Sequence, residues 1–215
     1  MPAKNPAEHP DTSLHKQKRA VLTRQEILRS ARAVFARDGF EHARIEDIAS
    51  GADKTRGAFY ANFKDKEDVF FAIFEDDMNR QIKELGSLLL DLPTVEERVD
   101  VLSQYLSQQS AHRERALLNL EFKLYAIRHP RKRKRLANLY TNMKLGSSIP
   151  EFNRLLLEVI GENAGTQLND SLAICGIMDG LALNHLFDPD TLDDQDLARY
   201  TRVCLREALQ SLLKA

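Results

Sequence analysis

Apolar residues recur every three to four positions along most of the chain, and no convincing strand-like alternation appears. This period is typical of amphipathic α-helices. The first such segment runs from about residue 23 to 38, and Gly39 follows its last periodic residue. Thr23, with Glu26 three residues later, resembles a capping box at the start of this helix. The apolar stripe consists of Ile27, Ala31, Val34 and Phe35.

Two short segments come next, one over 45–50 and one that begins at Thr55. In the second, Phe59 and Phe63 lie on the same side of a helix. The four intervening residues allow only a tight turn, so the pattern predicts a helix-turn-helix domain over residues 21–66. Residues 1–20 contain three prolines and almost no large apolar residue, which predicts a disordered basic tail.

Residues 67–215 are expected to form a larger helical domain, because the helical period continues and Pro130 suits the first turn of a helix. The fold prediction is therefore all-α, with about nine helices in an N-terminal three-helix helix-turn-helix domain and a C-terminal domain for ligand binding and dimerisation. The six predicted later helices span about 65–90, 94–110, 113–129, 130–160, 166–187 and 193–213.

The predicted helix at 166–187 is apolar on nearly every side, so it must be covered on every side. A single chain of this size can hardly cover it, which favours a homodimer formed through the last two helices. Glycines within it permit close helix contact. The residues expected at this interface are Leu172, Cys175, Gly176, Leu183, Leu186, Leu197, Cys204 and Ala208.

The charge of the chain is uneven along its length. Residues 1–66 contain 13 Lys+Arg and 9 Asp+Glu, a net +4, and the remainder contains 18 and 23, a net −5. A basic N-terminal segment indicates a polyanionic partner, although a solvated basic face gives the same pattern. No apolar run approaches the roughly 20 residues of a membrane-spanning helix, and no signal-peptide pattern is present, so we expect a cytoplasmic protein.

The segment RGAFYANF at 56–63 has the composition of a helix that enters a DNA groove. Small side chains let the helix backbone approach DNA, and long polar ones reach phosphates and base edges. Thr55 suits the N-cap of this helix. An amphipathic surface helix fits the spacing equally well. The outward arc would contain Arg56, Gly57, Tyr60 and Ala61, with Ala58 and Asn62 on its flanks.

Residues 24–74 resemble the DNA-binding domain of the TetR family of bacterial transcription factors. The resemblance runs through ILRSARAVFARDGF, IEDIA, TRGAFYANF and KDKEDVF, about a quarter of the chain. Elsewhere it is limited to the number of helices and a loose likeness around MDGLALNHL. It implies a cytoplasmic repressor that binds a palindromic double-stranded operator as a homodimer. It also implies that a small-molecule effector, largely apolar or aromatic, releases the repressor from DNA.

The resemblance also implies residue roles. Thr55, Tyr60 and Lys66 would hold phosphates, and Arg56 would read bases. Two positions depart from the family pattern: Asp53 in the turn, which tolerates a positive φ, and Arg44, which cannot cap the second helix but could reach DNA. The positions expected at the DNA are Arg44, Thr55, Arg56, Gly57, Ala58, Tyr60, Ala61, Asn62 and Lys66.

The family likeness further implies that the effector binds among the middle helices. Glu121 would be a polar anchor there, since a carboxylate on an apolar helix face needs a partner. A structural partner such as Arg128 explains Glu121 as well. The candidate lining residues are Phe74, Met78, Tyr105, Glu121, Phe122, Tyr125, Met143 and Asp179.

We expect neither an enzyme nor a cofactor-dependent protein, because no Ser-His-Asp order and no phosphate-binding glycine loop is evident. The six histidines form no helical i, i+4 pair, which argues against a metal site. Two alternatives stay open. One is a redox- or metal-responsive regulator that uses Cys175 and Cys204, and the other is a helical ligand-binding protein that does not bind DNA. We interpret the basic run 131–135 as solvated surface.

Overall fold

A computed structural model describes residues 10–90, 92–144 and 167–214. These residues contain nine helices and no strand, which confirms the all-α prediction for this part of the chain. The chain divides into two compact units, Met1–Ile73 and Phe74–Ala215, and the division falls within one helix. The helices are α1 Pro10–His42, α2 Ile45–Gly51, α3 Arg56–Asn62, α4 Lys66–Leu89, α5 Val95–Ser110, α6 Arg113–Arg128, α7 Pro130–Lys144, α8 Gln167–Phe187 and α9 Asp194–Lys214.

Helix α1 begins well before the predicted start. Thr23 lies inside the helix, so its predicted capping box with Glu26 is wrong, and residues 10–20 are helical where disorder was expected. The segment 14–20 contains leucine, lysine, glutamine, arginine and alanine, which are good helix formers, and a helix that already exists extends at little cost. Gly39 interrupts the helix near the predicted end, with φ 75° and ψ 164°. Residues 1–9 lie outside the described part.

Three phenylalanine rings form the centre of the first unit. The Phe35 ring lies 5.5 Å from Phe40 and 5.0 Å from Phe70 between centroids, and Phe40 and Phe70 are 4.7 Å apart. All three side chains are buried. Phe59 and Phe63 are buried as well, as their spacing predicted. The aromatic cluster joins α1 to the start of α4, and these two helices flank α2 and α3 in the chain.

Helices α1 and α2 approach each other closely at Gly51. A Cβ atom at this position would lie 2.5 Å from Ser30 Oγ. That hydroxyl is buried and donates a hydrogen bond to the Ile48 carbonyl at 2.7 Å. The turn that follows places Asp53 at φ 54°, the left-handed conformation expected for it. Close packing and this turn set the angle at which α3 leaves α2.

In the second unit, α9 packs against α5 and α8, and α6 packs against α7 and α8. Leu197 is fully buried by its own chain, which corrects its assignment to the subunit interface. The Ser107 hydroxyl donates to the Ala198 carbonyl at 2.9 Å and ties α5 to the same part of α9. The helix predicted over 130–160 is described only to Lys144. No helix within the described residues is long and apolar enough to cross a membrane.

Candidate nucleic-acid interface

Helix α3 begins at a side-chain cap. Thr55 has an extended backbone, with φ −80° and ψ 158°, and its Oγ1 accepts a hydrogen bond from the Ala58 N–H at 3.1 Å. This confirms the predicted N-cap. The cap uses the hydroxyl oxygen as an acceptor, and the hydroxyl proton can still be donated. A single threonine can therefore start the helix and contact an anion.

The Arg56 guanidinium lies between two neighbours. Its Nη1 pairs with Glu46 Oε1 at 2.7 Å, and its Nη2 donates to the Tyr60 hydroxyl at 3.3 Å. The guanidinium carbon also lies 5.5 Å from the centroid of the Tyr60 ring. The hydrogen bond to Tyr60 and the charge of Glu46 raise the pKa of Arg56. Sequence reasoning missed Glu46, although a glutamate in the first turn of α2 is visible in IEDIA.

The remaining α3 positions divide into an exposed arc and two flanks. Gly57, Tyr60 and Ala61 are exposed, and Ala58 and Asn62 are half-buried. The Asn62 side-chain amide donates to the Ala58 carbonyl at 2.8 Å, so it folds back on its own helix. The exposed arc therefore combines small side chains with long polar ones, as the sequence predicted.

Arg44 is exposed and occupies the N-cap position of α2 without a side-chain cap hydrogen bond, as its chemistry required. Its guanidinium is thus not used to start the helix. Arg44 lies in the same sequence neighbourhood as Glu46 and adds a cation to this part of the first unit.

Lys66 lies in a different setting from the one expected. Its ammonium donates to the carbonyls of Glu41 at 2.9 Å and Ala43 at 3.1 Å, just beyond the break in α1. It also lies 4.8 Å above the Phe40 ring. Burial lowers the pKa of Lys66. Since an ammonium has three donors, two serve the backbone here and one is left for a phosphate.

Residues 27–73 match the family model of bacterial regulatory proteins of the tetR family. This range includes α2, α3 and parts of α1 and α4. Over these residues the chain is similar to the TetR family. The HTH-type transcriptional repressor AcnR of Corynebacterium diphtheriae is 41% identical over 59 residues, 27% of this chain and 31% of AcnR. The chain thus spans about a third of the length of the first curated relatives that it matches.

Two further proteins are similar over most of this chain. The HTH-type transcriptional regulator YfiR of Bacillus subtilis is 27% identical over 208 residues, 93% of this chain and 96% of YfiR. A crystal structure of the transcriptional regulator FadR from Bacillus subtilis in complex with stearoyl-CoA superposes with a TM-score of 0.62. It is 20% identical and covers 86% of this chain and 98% of FadR, which establishes similarity of fold.

We expect Lys66→Met to destabilise the first unit. Methionine keeps the length of the side chain but leaves two carbonyls without their donor, which costs about 1–3 kcal/mol. Urea unfolding followed by circular dichroism measures the change. Lys64→Met, at an exposed lysine two residues earlier, is the matched control and should stay within about 0.5 kcal/mol. Equal stabilities for both variants would show that Lys66 has no structural role.

Most of the predicted effector-site residues that the structure describes are packed in the interior of the second unit. The Phe74 and Phe122 rings meet edge to face at 5.0 Å, and both are buried. Tyr105 is buried, and its hydroxyl donates to Glu84 at 2.6 Å. Burial, together with Glu84, raises the pKa of Tyr105. These three aromatic residues therefore contribute to the core in this conformation.

Three other members of the predicted set carry polar groups that have different surroundings. Tyr125 is buried, and its hydroxyl accepts a hydrogen bond from Lys132 Nζ at 2.9 Å. Glu121 is half-buried. Asp179 forms an ion pair with Lys123 that joins α8 to α6. The side chains of Met78 and Met143 lie outside the described part of the structure.

A small cleft lies between α5, α6 and α8 in the second unit. Its volume is about 40 Å³, well below the several hundred Å³ of a typical small-molecule site. Asp179 is the one member of the predicted set among its lining residues. The cleft is lined by Gln109, Ser110, Arg115, Ala116, Asn119, Cys175, Met178, Asp179 and Ala182.

Helix α8 exposes an apolar face. Ile177, Leu183 and Phe187 are exposed large hydrophobic residues on it, and Gly176 is exposed beside them. Among the described residues, a Cβ atom at Gly176 or Gly180 would meet nothing within 4 Å, so packing against these residues requires neither glycine. Of the other predicted interface residues, Cys175, Leu186, Cys204 and Ala208 are half-buried, and the side chain of Leu172 lies outside the described part. Both cysteines are free thiols.

Proposed function

We propose that this chain is a sequence-specific DNA-binding transcriptional regulator, a repressor that a small-molecule effector releases from a palindromic operator. The observation that supports this most directly is the exposed arc of α3. It combines Arg56 and Tyr60 with the small residues Gly57 and Ala61 on a helix capped by Thr55. Such a surface allows close approach of the backbone and also provides donors for phosphates and base edges.

The apolar face of α8 supports a homodimer. The single chain leaves Ile177, Leu183 and Phe187 exposed on one helix beside two glycines, and large exposed apolar patches mark interaction sites. A two-fold dimer presents two copies of α3 to successive major grooves. The operator should then contain inverted half-sites separated by about 34–36 Å, one turn of B-DNA, or by a small multiple of that distance.

The effector would bind among the middle helices, as the family likeness implies, and the FadR complex with stearoyl-CoA is a neighbour in fold that holds a ligand. The Phe74–Phe122 pair and Tyr105 are packed in this conformation, so a ligand of that kind would require them to rearrange. A small molecule that binds only the rearranged conformation shifts the population of the dimer toward it. By linkage, the same molecule must bind more weakly when DNA is bound.

The test of DNA recognition is a selection from a pool of randomised 40-base-pair duplexes with the full chain. We expect enrichment of an inverted repeat with the half-site separation given above, together with binding that weakens steeply as salt is raised. A chain that enriches no sequence at low ionic strength would contradict the proposal. Release of the enriched duplex by compounds from a small-molecule library tests the effector part separately.

We expect Gly57→Ala to raise stability and lower DNA affinity at the same time. A Cβ atom at Gly57 would meet only Thr55 Oγ1, at 3.7 Å, and alanine is favoured over glycine inside a helix by about 0.5–1 kcal/mol. In the DNA complex, the added methyl group would keep the backbone of α3 from approaching the duplex closely. Affinity for the selected duplex should fall about tenfold, or about 1.4 kcal/mol.

Gly86→Ala in α4 is the matched control, because among the described residues a Cβ atom there would meet nothing within 4 Å. It should stabilise the chain by a similar amount and leave DNA affinity unchanged. Thermal unfolding and fluorescence anisotropy with a labelled duplex give the two quantities. If both variants bound DNA as the wild type does, α3 would not be the element that approaches the duplex.

A further inference from the structure

A carboxylate lies on the surface that is proposed to meet DNA. Glu46, in the first turn of α2, pairs with Arg56 at 2.7 Å, and the two side chains are more than half exposed. An exposed ion pair contributes little to folding stability, typically about 0–1 kcal/mol. A carboxylate next to phosphates also opposes binding to any DNA. Neither stability nor general DNA affinity therefore accounts for Glu46.

We propose that Glu46 is a specificity-determining residue, which orients Arg56 for base contacts and penalises binding to non-operator DNA. This inference rests on the proposed function. Arginine side chains lose considerable rotamer freedom when they are fixed, and that cost is reduced when the free protein already holds the productive orientation. Glu46 holds one terminal nitrogen of Arg56, and Tyr60 holds the other.

The hydrogen-bond inventory leaves Arg56 able to read a base in this orientation. Each terminal nitrogen of a guanidinium carries two hydrogens, so one remains on Nη1 and one on Nη2 after the contacts with Glu46 and Tyr60. The contact of arginine with the O6 and N7 acceptors of guanine is the commonest specific contact in the major groove. We therefore infer that the base that Arg56 reads is a guanine.

The same pair weakens contacts with the wrong sequence. On non-operator DNA, Arg56 gains most by turning to a phosphate, and Glu46 opposes this turn because it would lose its cation while facing the negative duplex. At the operator, the bidentate base contact leaves the Glu46–Arg56 pair intact. The penalty thus applies mainly to non-operator DNA, and specificity is the difference between the two affinities.

The experiment compares Glu46→Gln with Asp47→Asn, which removes one negative charge from the same turn of α2 at an exposed side chain. The full chain binds the duplex that the wild type enriches and a scrambled duplex of the same length and composition. For Glu46→Gln we expect tighter binding to the scrambled duplex and a specificity ratio lowered about tenfold. For Asp47→Asn we expect similar changes on both duplexes and an unchanged ratio.

A double-mutant cycle separates orientation from charge. In an Arg56→Ala background, Glu46→Gln should leave the specificity ratio unchanged, because the side chain that it orients is absent. Selection with the Glu46→Gln variant should also lose the guanine preference at one position in each half-site. Thermal unfolding confirms that each variant is folded.

Two results would overturn the inference. If Glu46→Gln and Asp47→Asn had the same ratio as the wild type, while the wild type enriched a clear inverted repeat, Glu46 would have no part in specificity and the proposed function would stand. If the wild type enriched no sequence, the proposed function and the role of Glu46 would both be rejected.

Discussion

Leu183→Glu is expected to convert the proposed homodimer into monomers and to lower affinity for the palindromic duplex by at least about 100-fold. The Leu183 side chain is 48% exposed in the isolated chain and lies on the apolar face of α8. In a two-fold interface each substitution occurs twice, so two carboxylates would be buried without partners, which costs several kcal/mol. Two linked DNA-binding domains exceed the affinity of one by about 10²–10⁴, and that gain is lost in the monomer.

Leu124→Glu provides a matched control. It is the same substitution in the second unit, on α6, at a leucine that is 42% exposed. We expect this variant to remain dimeric and to bind the palindrome as the wild type does. Sedimentation equilibrium gives the assembly state, and anisotropy on full and half-site duplexes gives the affinities. A dimeric Leu183→Glu protein with unchanged affinity would show that the subunits meet elsewhere.

Monomers of the Leu183→Glu variant should bind a single half-site as well as a wild-type subunit does. The reason is that the substitution lies in the second unit, and α3 with its Thr55 cap belongs to the first. Equal half-site affinity would therefore show that the variant loses affinity for the palindrome because it no longer dimerises. Loss of half-site affinity as well would indicate that the variant is misfolded.

The helix-turn-helix was predictable because its signals are local. Thr55 caps α3 through an atom three residues away, and Phe59 and Phe63 are inward at helical spacing. Asp53 has the positive φ that its side chain tolerates. Each of these features is determined by residues within one or two turns of the chain, so a reader of the sequence has all the information needed.

The features that the sequence did not reveal depend on distant contacts. Lys66 is 23 and 25 residues from the carbonyls that it binds, and no short motif marks such a contact. Glu46 was missed because its partner Arg56 lies on another helix. Leu197 was expected at a subunit interface because apolar periodicity shows that a helix face is covered but does not show which element covers it. The structure shows that α9 packs against α5 of the same chain.

The predicted effector-site residues also show that a sequence pattern does not determine how side chains pack. Phe74, Phe122 and Tyr105 were predicted to line an effector site, and all three are buried. Periodicity does not tell a ring that fills the core from a ring that lines a cavity, since both face inward. Their role toward a ligand stays a prediction, to be tested by compounds that release the duplex.

Phe35→Ala is expected to destabilise the first unit by about 3–5 kcal/mol, the cost of removing a buried phenylalanine from a packed core. Phe35 is fully buried and contacts both other rings of its cluster, Phe40 and Phe70. Alanine would leave a cavity between α1 and the start of α4. Because small domains are stable by only about 5–15 kcal/mol, this loss removes much of what holds the helix-turn-helix together.

Amide hydrogen exchange measures this loss in each unit separately. Protection of amides in α1, α2 and α3 should fall by about two to four powers of ten in Phe35→Ala, since each 1.4 kcal/mol corresponds to a factor of ten. Amides of α5 and α9, in the second unit, should be protected as in the wild type. Leu22→Ala, at a leucine in α1 that is 57% exposed, is the control and should change protection little.

Operator affinity should fall together with this protection, because a partly unfolded first unit presents α3 only part of the time. The apparent dissociation constant rises in inverse proportion to the populated fraction of the binding-competent state. Lower protection with undiminished affinity would mean that DNA contacts do not depend on how the Phe35 cluster supports α3. An effect that spread equally to α5 and α9 would show that the two units unfold as one.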